Sequence, residues 1–268
     1  MRIALTVGGS DSSGGAGIQA DLKTFAACQV YGVSAITAVT AQNSTGITDV
    51  TALSGDLVAA QIEAVAGDMP IHASKTGMLA TAAIVEAVAA AIEELQLPFL
   101  VVDPVLVSAS GTRLLDDDGF AAMRTELIPL ARVVTPNIPE AEALSGSRIA
   151  SLDDCRDAAR KIHESGAAAV IVTGGHRAGR EVVDLLFDGR SFIEHRTPRV
   201  DAPLTHGTGC AFASAVAAGL AQGQDLSTAA ANAQEYVAGA IRHGFTLGRG
   251  RLVLNHFWQI DAEESRSG

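Results

Sequence analysis

The 268-residue sequence predicts an α/β fold: a central, mostly parallel sheet with helices on both faces. Three observations carry this reading. Short β-branched runs alternate with Ala-rich helical patterns along nearly the whole chain, the signature of βαβ units. Hydrophobic residues make up 48%, enough for a sizeable core. No internal repeat on the order of 20–50 residues and no Pro/Ser-rich linker divides the chain. The expectation is therefore one domain over residues 1–260. Residues 261–268 are polar, lack periodicity and follow the aromatic pair Phe257 and Trp258, so they are expected to be a frayed tail.

In chain order, strands are predicted over residues 3–9, 33–41, 72–75, 99–103, 132–135 and 168–173, each a short run rich in Val, Ile or Thr. A hairpin follows over 182–195, turning at Asp188-Gly189. Helices are predicted over 18–28, 57–65, 82–95, 117–128, 138–144, 152–165, 208–221 and 226–243. Several begin after a Ser, Asp or Thr able to accept from the first free amides, among them Thr81, Ser151 and Asp225.

Composition removes several function classes. The charge of −11, from 19 Lys+Arg against 30 Asp+Glu, offers no basic stripe for a nucleic-acid partner. Cys28, Cys155 and Cys210 are odd in number and far apart, which suggests neither a disulfide framework nor a zinc ribbon and fits a reducing cytoplasm. Residues 1–7 make a strand rather than a signal peptide. The longest near-apolar segments are about half of a membrane span, so no membrane partner is expected. The histidines show no H-x-x-x-H or H-E-x-x-H spacing, and no Ser sits in a nucleophile elbow.

Three glycine- or proline-marked turns carry the candidate chemistry. The first follows strand one, where Gly15-Ala16-Gly17-Ile18-Gln19-Ala20 matches a dinucleotide fingerprint by letter. Ser10 to Ser13 intervene, however, and residues 37–41 offer no ribose-binding acid, so the turn reads instead as a loop carrying Asp11 and, on the next helix, Asp21. None of the lysines Lys23, Lys75 and Lys161 follows a Gly, which excludes a Walker A loop. The second turn is Thr205-His206-Gly207-Thr208-Gly209-Cys210, opening an Ala-rich helix. Its amides and the helix dipole suit an anion, and Cys210 falls in the first turn, where a thiolate is favoured. The competing reading is a cysteine that only packs a helix end. The third turn is Thr135-Pro136-Asn137-Ile138-Pro139-Glu140, at a strand end where doubly wound sheets bind ligands. Asn137 and Glu140 offer oxygen ligands for Mg²⁺ and equally the two halves of a capping box; Asp103, before Pro104, is a strand-end acid able to join them.

A longer ordered set unites these turns. Gly-Gly-Ser-Asp at 8–11, Gly-Gly-Ala-Gly-Ile-Gln-Ala-Asp-Leu-Lys at 14–23, Ala-Gln-Asn at 41–43, Lys-Thr-Gly-Met-Leu at 75–79, Val-Asp-Pro-Val at 102–105, Thr-Pro-Asn at 135–137 and His-Gly-Thr-Gly-Cys at 206–210 together resemble the hydroxymethylpyrimidine/phosphomethylpyrimidine kinases of thiamine biosynthesis, in the ribokinase-like superfamily. The resemblance covers residues 3–258 in order and without a large insertion. It implies ATP- and Mg²⁺-dependent phosphorylation of 4-amino-5-hydroxymethyl-2-methylpyrimidine to its monophosphate and then to the diphosphate. Gly9, Asp21, Gln42 and Met78 would then surround the pyrimidine; Asp103, Asn137 and Glu140 would organise Mg²⁺ and the phosphates. The amides of Gly207, Thr208, Gly209 and Cys210 would hold the transferring phosphoryl group, with Cys210 at the position of the superfamily's catalytic Asp. A homodimer is also implied.

Two departures from the family pattern stand out. A Lys common after Val-Asp-Pro-Val is missing from Ser108-Ala109-Ser110-Gly111, and a second Lys is replaced by Thr173 before Gly174-Gly175-His176. Thr173 retains a hydroxyl for the nucleotide, and Arg113 or Arg177 is available to restore the charge. Two alternatives stay open: a pyridoxine/pyridoxal-type kinase of the same fold, and a catalytically weak pyrimidine-binding protein.

Overall fold

A computed structural model describes residues 1–108, 111–176, 179–202 and 205–259. Ala109 and Ser110, Arg177 and the polar segment 261–268, all named above, lie outside the described residues. The first half of the chain runs β1 (Ile3–Asp11), α1 (Gly17–Ala27), β2 (Tyr31–Asn43), β3 (Gly46–Ala52), α2 (Gly55–Ala66), β4 (Ala73–Thr76), α3 (Ala82–Glu94), β5 (Leu100–Val102) and α4 (Asp117–Ala122). The second runs β6 (Val133–Val134), α5 (Ile138–Ser145), α6 (Leu152–Glu164), β7 (Val170–Val172), β8 (Glu181–Phe187), β9 (Phe192–Pro198), β10 (Thr205–His206), α7 (Thr208–Ala221), α8 (Leu226–Arg242), β11 (Phe245–Thr246) and β12 (Leu252–Val253).

Among the described residues the main sheet has nine strands in the order β3-β2-β1-β4-β5-β6-β7-β8-β9. The pairs from β2 to β7 are parallel; β3 at one edge and β8 and β9 at the other are antiparallel. Successive residues of a buried strand face opposite layers, so each central strand feeds two cores. Val102, Val134 and Val172 join α2, α3, α5 and α6 on one face. Val101, Val133 and Ile171 join α1, α7 and α8 on the other. Burying each such side chain contributes about 1.5–3 kcal/mol. Helix α7 is buried from Ala211 to Ala221 because it contacts the sheet, α1 and α8 together, and its small residues permit that approach.

Of the three caps named from the sequence, Ser151 and Asp225 form, while Thr81 precedes α3 without a side-chain cap bond. Ser151 Oγ accepts from Asp154 N at 3.1 Å while Asp154 Oδ2 accepts from Ser151 N at 2.7 Å, a reciprocal box; Asp225 and Asp116 cap α8 and α4 one way, accepting from Thr228 N and Gly119 N. The hairpin turns as expected, with Asp188 Oδ1 accepting from Arg190 N and Ser191 N at 2.8 and 2.7 Å.

Three elements differ from expectation. β2 extends two residues at either end and pairs with β3, whose mixed sequence and largely exposed face lack the buried-strand pattern. The helix predicted over 117–128 is α-helical only to Ala122; a wide π turn over Met123–Leu127 and a 3-10 turn over Ile128–Leu130 follow. That change of pitch sends Met123, Leu127 and Ile128 into the core, and Pro129 cannot continue an α-helical ladder. Last, β10, β12 and β11 form a separate small sheet from runs of two residues, too short for a periodicity argument.

Candidate active site

Parallel strands β1, β4, β5, β6 and β7 all end at one side of the sheet, and there a cavity of about 940 Å³ opens. The candidates for contact with substrate, nucleotide, metal and phosphoryl group line it: Gly9, Asp21, Gln42, Met78, Asp103, Asn137, Glu140, Thr173 and the run Gly207 to Cys210. Residues up to two hundred positions apart meet because each follows a strand end or opens a helix there.

The anion turn is built by close backbone packing. Gly207 caps α7 at φ 83°, and a Cβ on it would stand 2.0 Å from the Gly15 carbonyl oxygen, so the two glycine turns can touch only without a side chain. No side chain caps α7, which leaves its first amides to an incoming anion.

Beneath this turn sits a buried charge cluster. Lys75 Nζ donates to both oxygens of Asp21 at 3.0 Å and lies 3.6 Å from Asp103 Oδ2. Thr6 Oγ1 and Ser214 Oγ also donate to Asp21, at 2.6 and 2.7 Å. Asp21 lines the cavity, and its oxygens accept from Lys75, Thr6 and Ser214, which makes it the counter-ion of Lys75. Lys75 was missed as a site residue, although a lysine closing an otherwise buried strand marks a group that needs a partner.

Burial pushes the Cys210 thiol up to about 12; Lys75 pulls it down, while Asp103 and Asp21 add to the rise. Desolvation therefore opposes the thiolate expected at the helix start, while the charge of Lys75 favours it. A backbone hydrogen bond from Gly17 reaches the sulfur.

Asn137 and Glu140 form the capping box: Asn137 Oδ1 accepts from Glu140 N at 3.0 Å, and Glu140 Oε2 accepts from Asn137 N at 2.9 Å. Burial and then the charge of Asp103 lift the Glu140 carboxyl to about 8, and burial lifts Asp103 to about 6 despite Lys75. Among the described residues Asp103 Oδ2 has no hydrogen-bond partner, with Lys75 Nζ beyond bonding distance at 3.6 Å. Two carboxylates that repel each other, one with a bare buried oxygen, fit a divalent cation that completes its shell with phosphate and water. Among the described residues no group of three or more His, Cys, Asp or Glu could hold a metal by itself.

Over the opposite rim, His206 Nε2 lies 2.8 Å from Gln42 Nε2 and 3.2 Å from Asp11 Oδ2. Burial raises the Asp11 carboxyl, but bonds from His206, from Ser13 and from the Ala16 amide hold it below the usual range. Asp11 and His206 thus tie the first loop to the anion turn, a contact across 195 positions that no local motif reveals. Arg113 is corrected as a replacement cation: it pairs with exposed Asp117 and does not line the cavity.

The sequence profile of the family described as phosphomethylpyrimidine kinase matches residues 11–255. The chain is 47% identical over 262 residues to the thiamine biosynthesis bifunctional protein ThiED of Geobacter sulfurreducens, covering 98% of this chain and about half, 53%, of that protein. It is 45% identical to the hydroxymethylpyrimidine/phosphomethylpyrimidine kinase of Bacillus subtilis, covering 95% of this chain and 94% of that one. Among solved structures, the ADP complex of Bacillus subtilis pyridoxal kinase superimposes with a TM-score of 0.90 at 40% identity, over 97% of this chain and 99% of the other, as the ribokinase-like α/β expectation requires.

Proposed function

The chain belongs to the phosphomethylpyrimidine kinase family, and from that premise we propose that it transfers the γ-phosphoryl group of ATP to 4-amino-5-hydroxymethyl-2-methylpyrimidine and then to the resulting monophosphate, in thiamine biosynthesis. The observation that carries this reading is the single cavity in which an uncapped helix start faces a pair of mutually repelling carboxylates. Phosphoryl transfer needs positioning and charge stabilisation rather than covalent chemistry, and this cavity supplies both.

Met78 packs over the backbone of Gly9 and gives the pyrimidine an apolar wall, with Gln42 as its polar contact. Thr173 and Asn137 would hold the nucleotide, and Asp103 and Glu140 would hold Mg²⁺. That ion, when bound, neutralises phosphate charge. The amides from Gly207 to Cys210 receive the charge of the transferring group, and Lys75 adds positive charge beneath them. In the first transfer the alcohol must lose a proton as it attacks, and Cys210 Sγ accepts it in the thiolate form, a minor species at neutral pH that burial disfavours and the charge of Lys75 favours. In the second the nucleophile is already an ionised phosphate oxygen.

Purified protein given Mg²⁺-ATP with the alcohol or with the monophosphate should release ADP and form the mono- and diphosphate, read by mass spectrometry. Pyrimidine binding with no ADP release would establish a binding protein instead. The likeness to pyridoxal kinase favours one second reading, a vitamin B6 kinase. Parallel kcat/KM values for pyridoxal and the pyrimidine decide between the two.

We further propose a single kinase domain over residues 1–260 that acts as a homodimer in the cytoplasm. Val39 on β2 and Val50 on β3 are exposed on opposite faces of this antiparallel pair, apolar surface that a second copy would cover. The free thiols support the compartment, and no described helix is long and apolar enough to cross a membrane. Light scattering gives the assembly mass.

A further inference from the structure

Asp184 is 4% exposed, and among the described residues no Lys, Arg or His forms an ion pair with it. Its partners are neutral: Oδ1 accepts from Gly174 N at 2.7 Å, and Oδ2 accepts from Gln234 Nε2 at 2.8 Å. The same Gln234 nitrogen donates to the His195 carbonyl oxygen at 3.0 Å. A buried carboxylate without a cation costs stability, and an apolar residue would fill the position at less expense. Burial accordingly raises the Asp184 carboxyl to about 6.

What the carboxylate joins is specific. Gly174 belongs to the turn after β7 that carries Thr173, Gln234 lies on α8, and His195 is the register partner of Asp184 on β9. A Cβ on Gly174 would meet the Val183 carbonyl oxygen at 2.1 Å, so the turn lies flat on β8 with its amide aimed at Asp184. Next to it, Thr173 N donates to the Pro136 oxygen at 2.9 Å, linking the turn to the segment that bears Asn137. Thr173, Gly175, Thr197, Val237, Ala238 and Ile241 line the cavity from the β7–β9 side of the sheet and from α8, whereas Gln42 and Met78 line it from β2 and the end of β4, on the other side of β5 and β6 in the strand order.

We infer that Asp184, with Gln234, is a positioning residue of the nucleotide half of the cavity: its carboxylate fixes the Thr173–Gly175 turn against α8 and so shapes the slot for the base and ribose. This rests on the kinase reading above, which assigns Thr173 to the nucleotide.

The test is Asp184→Asn, which keeps the shape and sets an amide N–H against either Gly174 N or Gln234 Nε2. ADP affinity measured by calorimetry should fall about tenfold, the worth of one hydrogen bond to a charged group. KM for ATP should rise in step, with KM for the pyrimidine and kcat at saturating ATP unchanged. Gln234→Leu, which removes a donor without creating a donor clash, should shift ADP affinity in the same direction and supplies the result where Asp184→Asn fails to fold. Unchanged ADP affinity in a folded variant, or a fall in kcat alone as the folded fraction drops, would overturn the inference. Failure of the parent protein to phosphorylate either pyrimidine counts against the functional reading, whereas the calorimetry addresses Asp184 independently of it.

Discussion

Lys75 and Asp21 form a two-point ion pair, Nζ 3.0 Å from each carboxylate oxygen, with neither side chain more than 1% exposed. Removing one partner strands a buried charge, so Lys75→Met should cost about 3–5 kcal/mol of stability. Replacing both, as Lys75→Met with Asp21→Leu, should cost less than the sum of the single changes. Urea unfolding of the three variants provides the cycle; strict additivity would show that the pair is not coupled.

The pair also shows where sequence reading stopped. Candidate residues on motifs were legible because glycine turns and strand-end acids announce themselves: Gly207 to Cys210, Asn137, Glu140 and Asp103 were found that way, and all line the cavity. Lys75, Ser214, Asp11 and His206 act through contacts between distant segments, and the pairing of Asp21 with Lys75 was not legible because its partners come from β1, β4 and α7. The central strands were readable as short runs rich in Val, Ile and Thr. The edge strand β3 and the small sheet were not, since exposed or two-residue strands leave no period.

Gln42→Leu removes the polar contact expected for the pyrimidine and the one with His206, and it leaves the apolar wall at Met78. KM for the pyrimidine should rise by about tenfold or more, as for a lost buried hydrogen bond. KM for ATP should stay within twofold. An equal rise in both constants would remove Gln42 from the substrate half.

A thiol at about 12 is protonated at neutral pH, so alkylation of Cys210 by iodoacetamide should climb with pH without a plateau below pH 10. A plateau near pH 8 would contradict the burial argument. Cys210→Ala should slow the first phosphorylation by about 10²–10⁴, the usual worth of a proton acceptor, and the second far less. Equal relative losses in the two steps would refute the acceptor role.

Thr173→Lys introduces a cation into the half of the cavity that holds the buried Asp184 carboxylate. KM for ATP should fall about two- to fivefold, the scale of a partly exposed ion pair. The gain should shrink as ionic strength rises. No change in a folded variant would mean that the phosphates already have their counter-charge.

Asp184 gives the protein an unusual acid response. Its carboxyl sits near 6 when folded against an ordinary 3.8, so between those values the native state holds a proton that the unfolded chain has lost. Stability contributed at this site is therefore complete below about pH 4 and declines as pH rises through 6, the reverse of a salt-bridged carboxylate. His195, its cross-strand neighbour, is lowered by burial and works the other way, since its neutral native form loses stability as pH falls below 6.5. The two slopes oppose each other in the parent protein. Subtracting the unfolding free energy of Asp184→Asn from that of the parent, pH by pH from 4 to 7, cancels the histidine and leaves the carboxylate. The difference should fall as pH rises to about 6 and then level off. A flat difference would show that Asp184 ionises as it does in water and that its burial carries no electrostatic cost.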